Sequence, residues 1–149
     1  MKCRVCNAQN ITEVVDLGKQ PLANKYPKNK LEILKEKKFN LKIMFCKKCK
    51  AGQIKKIINR NILFEDYYYL SSVNLKLKQH FEKLAKKIKK YNFVVDIGSN
   101  DGILLDPLKK LKVKCIGIDP SKNVGKIAND RGLETFIGFF DKKITKTIL

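Results

Sequence analysis

Four of the five cysteines of this chain fall into two Cys-x-x-Cys pairs, Cys3 with Cys6 and Cys46 with Cys49. Two such pairs are what a tetrahedral Zn²⁺ site needs, because each tight turn can bring two thiolates to one ion at about 2.3 Å. Four thiolates leave no coordination position for a substrate or an activated water, so the predicted zinc is structural. Asn7 and Gly52, which lie shortly after the pairs, are residue types that tolerate the left-handed backbone of such turns.

The spacing between the two pairs leaves alternatives open. The 39 residues between Cys6 and Cys46 exceed the roughly 15 to 20 of compact zinc ribbons, so the intervening segment must form its own structure and return. The cysteines could instead be free thiols that coincide in spacing. A redox role is a further alternative, although neither pair opens a helix after a strand, as in thioredoxin-like proteins. Cys115 lies in an apolar run and is most simply a small core residue.

A second group of chemically capable residues lies at the end of an apolar run at residues 93–97, where Asp96 is succeeded by Gly98 and Gly102. Gly98 allows a sharp turn and the close approach of a ligand, and Gly102 lets the next helix start near the strand. Asn100 stands where the dinucleotide pattern G-x-G-x-x-G has its second glycine, so that pattern does not apply. An acidic strand end instead suits a ligand that is cationic or uncharged near the turn, and an ordinary tight turn is the alternative.

Asp119 ends the next apolar run, 23 residues after Asp96. A carboxylate at the end of the second strand of such a unit can accept hydrogen bonds from ribose hydroxyls. The two strand ends together therefore favour a nucleoside-containing ligand.

The elements that must position these residues divide the chain into three blocks. Residues 1–60 contain the cysteine pairs and short strands, among them 39–45 with alternating apolar side chains. Residues 61–90 begin with an aromatic run and continue into a predicted amphipathic helix. The apolar stripe of this helix comprises Leu77, Phe81, Leu84 and Ile88 and is expected to pack on the third block. Residues 91–149 predict a strand, a helix and a second strand, both strands buried, and the start of a third strand at 135–138.

The composition limits the classes of partner. The chain has 149 residues and a formal charge of +19, but only three of its 33 basic residues are arginines. Arginine is the residue expected where phosphates or bases are bound, so the excess of lysine indicates compositional bias before it indicates a nucleic-acid-binding surface. No apolar run approaches the roughly 18 residues of a spanning helix, so membrane insertion is not expected. The N-terminus carries no secretory signal, which makes the cytoplasm the expected location.

In their order along the chain, six motifs resemble those of the sugar C-methyltransferase family: residues 3–6, 17–24, 46–49, 67–72, 96–102 and 117–121. The resemblance covers about the whole chain. It implies an α+β zinc-binding N-terminal domain, followed by the start of an incomplete α/β Rossmann-like domain that binds S-adenosylmethionine. Members of the family methylate a carbon of a nucleotide-linked keto-hexose for deoxysugar biosynthesis.

The resemblance also implies roles for particular residues. The zinc ligands are Cys3, Cys6, Cys46 and Cys49. The residues implied to bind S-adenosylmethionine are Asp96, Gly98, Ser99, Asn100, Asp101, Gly102, Asp119, Pro120 and Ser121. Those implied to border the substrate cleft are Gln20, Asn24, Tyr69, Ser71, Ser72 and His80. For the last group the alternatives are aromatic core packing for the tyrosine and a surface helix position for the histidine.

Three features depart from the family. Its members commonly have Glu where Asp96 stands, a difference that keeps the charge. Pro107 falls where the first Rossmann helix should run, so that helix is expected to start late or to be kinked. Residues 91–149 supply about two strands and the start of a third, against about six in a complete open sheet. The family's catalytic segment, which resembles Tyr-x-His-Leu-x-Tyr, is absent, and no catalytic residue is assigned.

The predicted function is therefore the N-terminal portion of an S-adenosylmethionine-dependent C-methyltransferase, inactive as an isolated chain. Its expected partners are a nucleotide-sugar and the missing C-terminal half as a separate chain, which would cover an exposed strand edge and an apolar sheet face. The alternative is a stand-alone zinc-ribbon module that binds nucleic acid or a protein without catalysis.

Overall fold

The computed structural model describes residues 1–23, 25–64 and 66–148. The chain divides into two compact units, Met1–Asn59 and Arg60–Leu149. The aromatic run and the amphipathic helix of the predicted middle block both lie in the second unit. Within the described ranges, every helix is too short or too polar to cross a lipid bilayer.

The first unit is built on a three-stranded antiparallel sheet in the order β1-β2-β3. The strands are β1 (Ile11–Gln20), β2 (Phe39–Cys46) and β3 (Gly52–Ile54), and the short helix α1 (Lys30–Leu34) lies in the connection between β1 and β2. Asn29 caps α1, because its side-chain oxygen accepts from the backbone N–H of Glu32 at 3.0 Å. The Glu32 carboxylate in turn accepts from the Lys28 N–H at 2.8 Å, so this small helix has a reciprocal cap.

Few side chains are buried in the first unit. Cys3, Met44 and Cys46 are the buried ones among its described residues. The strand expected at 39–45 is confirmed, but its buried positions are Met44 and Cys46, whereas Ile43 on the alternating apolar face is 37% exposed. Met44 and Cys46 share the opposite face of the strand, which is the face that carries Cys46 into the cluster of cysteines. A core this small cannot stabilise a fold by apolar burial alone, so this unit needs another source of stability.

The second unit contains a three-stranded parallel sheet in the order β4-β5-β6. Its strands are β4 (Phe93–Ile97), β5 (Lys114–Asp119) and β6 (Thr135–Ile137), joined by α4 (Leu105–Lys110) and α5 (Lys122–Asp130). The elements before the sheet are α2 (Arg60–Phe64), a 3₁₀ turn (Ser71–Val73) and α3 (Leu75–Ile88), and α6 (Lys142–Ile148) comes after it. The expected strand–helix–strand order and the short third strand are confirmed, and the parallel sheet is compatible with the start of a Rossmann-like domain.

Helices α3 and α4 form the main apolar core of the second unit. Ala85 and Leu108 are fully buried at its centre, and the predicted stripe residues Phe81, Leu84 and Ile88 pack against this cluster. Helix α4 begins at Leu105, which places Pro107 in its first turn. The expected late start of this helix is therefore confirmed, since a proline in the first turn breaks no hydrogen bond within the helix.

Strand β4 differs from the expectation of a fully buried strand. Phe93, Val95 and Ile97 are 39%, 36% and 58% exposed, whereas Ile116 and Ile118 of β5 are buried. The difference arises because β4 lies at an edge of the sheet and the α3–α4 core covers only the face that carries Val94. Among the described residues, β5 is the only strand paired with β4, so the other edge of β4 is open.

Candidate functional site

The four paired cysteines meet at one point in the first unit. Their sulfur atoms all lie within 4.8 Å of one another. Cys3 Sγ is 3.6 Å from Cys49 Sγ, and Cys6 Sγ is 3.6 Å from Cys46 Sγ. A tetrahedral zinc with four sulfur ligands has sulfur atoms about 3.8 Å apart, as its Zn–S distance of about 2.3 Å requires. The cluster therefore has the dimensions of a zinc–tetrathiolate centre.

Two backbone turns of the same design position the sulfurs. In the first turn the Asn7 N–H donates to the Cys3 carbonyl at 2.9 Å, and in the second the Lys50 N–H donates to the Cys46 carbonyl at 2.9 Å. The residue after each pair has a left-handed backbone, with φ of 56° at Asn7 and 63° at Lys50. The expectation is thus correct for Asn7 but wrong for Gly52, which lies in β3, because the turn needs this backbone one residue after the second cysteine.

The thiols of the cluster influence one another's ionisation. The hydrogen bond from the Cys6 N–H lowers the pKa of the Cys3 thiol to about 6, and the Cys49 N–H likewise lowers the pKa of Cys46. At Cys49 the Ala51 N–H acts in the same direction, but burial and the three neighbouring thiols outweigh it and raise the pKa to about 12. Four thiolates this close repel one another, and a divalent cation removes that repulsion, so the donor set fits Zn²⁺.

The second unit contains a cavity of about 500 Å³ at the carboxyl ends of its three strands. This volume lies in the usual range for small-molecule sites. The residues that line it are Phe64, Tyr67, Tyr69, Ser71, Ile97, Gly98, Asn100, Ile118, Asp119, Pro120, Ser121, Gly138, Phe139 and Phe140. Its wall is largely apolar and aromatic with a few polar groups. This composition suits a ligand that combines an aromatic ring with polar substituents.

Asp119 is the carboxylate in the cavity wall. It is only 6% exposed, and its two oxygens accept from the backbone N–H groups of Asn100 at 2.8 Å and Ser121 at 2.9 Å. These bonds fix the orientation of the carboxylate but use only two of its roughly four acceptor positions. The remaining positions can accept hydrogen bonds from ligand hydroxyls.

Asp96 lies one strand away from Asp119 and is partly buried. Burial and the negative charge of Asp119 raise the pKa of its carboxyl from 3.8 to about 6. Asp96 is not among the lining residues of the cavity. Its charge interacts with that of Asp119, which lines the cavity, but its own side chain is not part of the wall.

Two of the aromatic residues that line the cavity contact each other, and an arginine outside the wall contacts one of them. The rings of Phe64 and Phe139 meet edge to face with centroids 6.2 Å apart. The Arg60 guanidinium carbon lies 4.2 Å from the centroid of the Phe139 ring. A cation over a ring at this distance is attracted to the face of the ring.

The residues assigned by resemblance are distributed unevenly around this cavity. The assigned residues that line it are Gly98, Asn100, Asp119, Pro120, Ser121, Tyr69 and Ser71. Those of the second unit that do not line it are Asp96, Ser99, Asp101, Gly102, Ser72 and His80. Gln20 ends β1 in the first unit, where it is exposed, and Asn24 lies outside the described residues.

The assigned residues outside the wall have other contacts. The Asp101 carboxylate is 1% exposed and accepts hydrogen bonds from the backbone and hydroxyl of Ser72. Gly102 has φ of 82°, and a Cβ there would stand 2.6 Å from Leu133 Cδ1, so this glycine permits close packing. His80 is exposed on α3, with its ring edge to face against that of Phe81.

Several lining residues were not assigned from the sequence: Phe64, Tyr67, Ile97, Ile118, Gly138, Phe139 and Phe140. Ile97 and Ile118 are at or next to the ends of β4 and β5, and Gly138 to Phe140 come directly after β6. Since the carboxyl ends of parallel strands meet at one edge of a sheet, the predicted third strand at 135–138 was the signal that could have identified the last group.

Comparison with known proteins agrees with the cysteine geometry. Residues 3–64 match the family Methyltransf_13, whose description reads "Putative zinc binding domain", and this range contains all four cysteines. Over 153 aligned residues and 99% of its length, the chain is 29% identical to the C-methyltransferase NovU of Streptomyces niveus. The resemblance to C-methyltransferases is confirmed. The chain corresponds to the N-terminal part of this C-methyltransferase and spans 36% of its length.

Proposed function

We propose that this chain is the part of an S-adenosylmethionine-dependent C-methyltransferase that carries a structural zinc and forms the methyl-donor cavity. The observation that carries the proposal is the cavity at the ends of three parallel strands, with Asp119 oriented in its wall by two backbone N–H groups. The similarity to a C-methyltransferase along nearly the whole chain supports it.

The residues present fit S-adenosylmethionine. Asp119 would accept from its ribose hydroxyls, and the aromatic side chains at Phe139 and Phe140 would contact its adenine ring. The negative charge of Asp96 and Asp119 favours a ligand that carries a sulfonium cation. When bound, S-adenosylmethionine supplies an electrophilic methyl group, and the largely apolar cavity would limit the access of water to it.

We also propose the finer features that the family resemblance implies. The methyl acceptor is a carbon of a nucleotide-linked keto-hexose, and the parallel sheet is the first part of a Rossmann-like domain. The reaction takes place in the cytoplasm, where the four thiols stay reduced and available to zinc. The chain alone is inactive, because transfer to carbon requires a base beside the keto group and no residue of this chain is assigned to that role.

A further polypeptide segment would complete the sheet. The open edge of β4 and the exposed side chains of Phe93, Val95 and Ile97 are the surface that it would cover. A segment corresponding to the C-terminal part of the C-methyltransferase relative is the partner that we propose for this surface.

Ligand binding tests the proposal directly. Calorimetry of the zinc-loaded chain with S-adenosylhomocysteine should show one saturable site, and Asp119→Asn should weaken binding at least about tenfold, since it removes charged acceptors. The control is Asp130→Asn, whose carboxylate pairs with Lys126 on the exposed side of α5. Circular dichroism should show that both variants stay folded. Absence of binding by the folded wild-type chain would overturn the proposal.

A further inference from the structure

The segment Tyr67–Ser72 forms one wall of the cavity without belonging to the sheet. Tyr67, Tyr69 and Ser71 all line the cavity, yet the segment lies outside every strand of the second unit. Its backbone is therefore not held by a β-ladder. Side chains from the start of α5 and from the loop after β4 form hydrogen bonds with this backbone.

Asn123, in the first turn of α5, makes a two-point contact with this segment. Its Oδ1 accepts from the Tyr67 N–H at 3.0 Å, and its Nδ2 donates to the Tyr67 carbonyl at 2.8 Å. One side-chain amide thus pairs with both polar groups of one residue, as a neighbouring strand would. Asn123 itself is not a lining residue.

Asn100, in the turn after β4, repeats the arrangement two residues further along. Its Nδ2 donates to the Tyr69 carbonyl at 3.0 Å, and its Oδ1 accepts from the Ser71 N–H at 2.9 Å. The buried Asp101 carboxylate then accepts from Ser72. The segment is therefore fixed at three successive points by side chains from the loop after β4 and the start of α5.

We propose that Asn123 is a positioning residue of the cavity, which acts on the ligand only by holding Tyr67–Ser72 in place together with Asn100. The identity of the ligand rests on the proposed function, whereas the fixing of the segment rests on the hydrogen bonds alone. A segment that lacks a ladder and loses the two hydrogen bonds of Asn123 opens more often. Tyr67 and Tyr69, the two of its three tyrosines that line the cavity, then spend less time in the position that completes the wall.

The chain contains a matched control for this proposal. Asn129, at the other end of α5, makes the same kind of contact with Thr135. Its Oδ1 accepts from the Thr135 N–H at 2.9 Å, and its Nδ2 donates to the Thr135 carbonyl at 2.9 Å. Asn129→Ala therefore removes the same two bonds from the same helix but leaves the attachment of Tyr67–Ser72 unchanged.

Amide hydrogen exchange of the full chain without ligand tests the attachment. Asn123→Ala should accelerate exchange of peptides that contain residues 67–72 by about 10- to 100-fold, the effect of losing two hydrogen bonds. Asn129→Ala should accelerate exchange at residues 133–137 instead. Unchanged exchange at 67–72 in Asn123→Ala, or an equal acceleration there in both variants, would overturn the inference.

Affinity for S-adenosylhomocysteine tests the consequence for the ligand. Asn123→Ala should weaken binding about tenfold or more while circular dichroism shows an intact fold. Accelerated exchange with unchanged affinity would overturn the positioning role. If the wild-type chain binds no S-adenosylhomocysteine but exchange changes as expected, the identity of the ligand fails and the attachment of the segment is supported.

Discussion

Replacing Asp96 with asparagine should stabilise the second unit at neutral pH and leave it little changed in acid. Burial and the nearby Asp119 raise the pKa of Asp96 to about 6 in the folded protein. In the unfolded chain the carboxyl titrates near its ordinary pKa of about 3.9. The folded state thus holds this proton more tightly. The stability contributed by protonation is fully present below about pH 4 and is lost as the pH rises through about 6.

The size of the effect can be worked out from the shift. A change of about two pKa units corresponds to about 3 kcal/mol between the two protonation states, which sets the upper limit. Asparagine has a similar volume and no charge, so Asp96→Asn should gain up to this amount at about pH 7.5. At about pH 4.5, where the wild-type carboxyl is largely protonated in the folded state, the gain should fall below about 1 kcal/mol.

Urea denaturation of both proteins at the two pH values measures this difference. Acid also protonates the cysteine thiols and weakens the metal site, but it does so equally in both proteins and cancels in the comparison. The exposed Asp130 provides the control, because an exposed ion pair with Lys126 contributes little to stability, and its replacement by asparagine should change the stability by less than about 0.5 kcal/mol. Equal stability of wild type and Asp96→Asn at the higher pH would refute the reasoning.

The zinc site, the apolar core and one strained turn each give a further prediction. Metal analysis should find one Zn²⁺ per chain, and Cys46→Ser should lose it and unfold the first unit; a folded, metal-free protein would contradict this. Leu108→Ala should cost about 2–5 kcal/mol in denaturant unfolding because the side chain is fully buried, whereas Leu34→Ala, at an 81% exposed position, should change stability by less than about 0.5 kcal/mol. Lys50→Gly should raise the thermal stability of the first unit by about 0.5–1 kcal/mol, since φ there is 63°; an unchanged melting temperature would show that the strain is negligible.

The spacing of the cysteines in the sequence predicts the zinc site more completely than any motif predicts the cavity. Two Cys-x-x-Cys pairs need only two short turns, and the four sulfurs are found within 4.8 Å of one another. The apolar runs ending at Asp96 and Asp119 likewise predict two parallel strands whose ends meet. Such features are local, or depend on one pairing rule, so they can be inferred from a single chain.

The remaining features depend on tertiary context. The apolar run of β4 predicts burial on both faces, but burial of Phe93 and Ile97 depends on what packs there, which periodicity does not specify. Asn100 has a left-handed backbone of the kind that glycine usually adopts, with φ of 50°. Its side chain forms hydrogen bonds with the backbone of Tyr69 and Ser71. Partners 29 or more residues away in sequence leave no periodic signal, so these contacts could not be predicted.

The described residues that line the cavity all lie between Phe64 and Phe140. They come from strands that are consecutive in sequence and from the segment just before them. Every described residue of the wall therefore precedes residue 141, and the cavity can form as soon as the chain up to Phe140 is free to fold. Binding of the ligand at that stage would stabilise the newly formed sheet by RT ln(1 + [L]/Kd), while the outer edge of β4 is still unpaired.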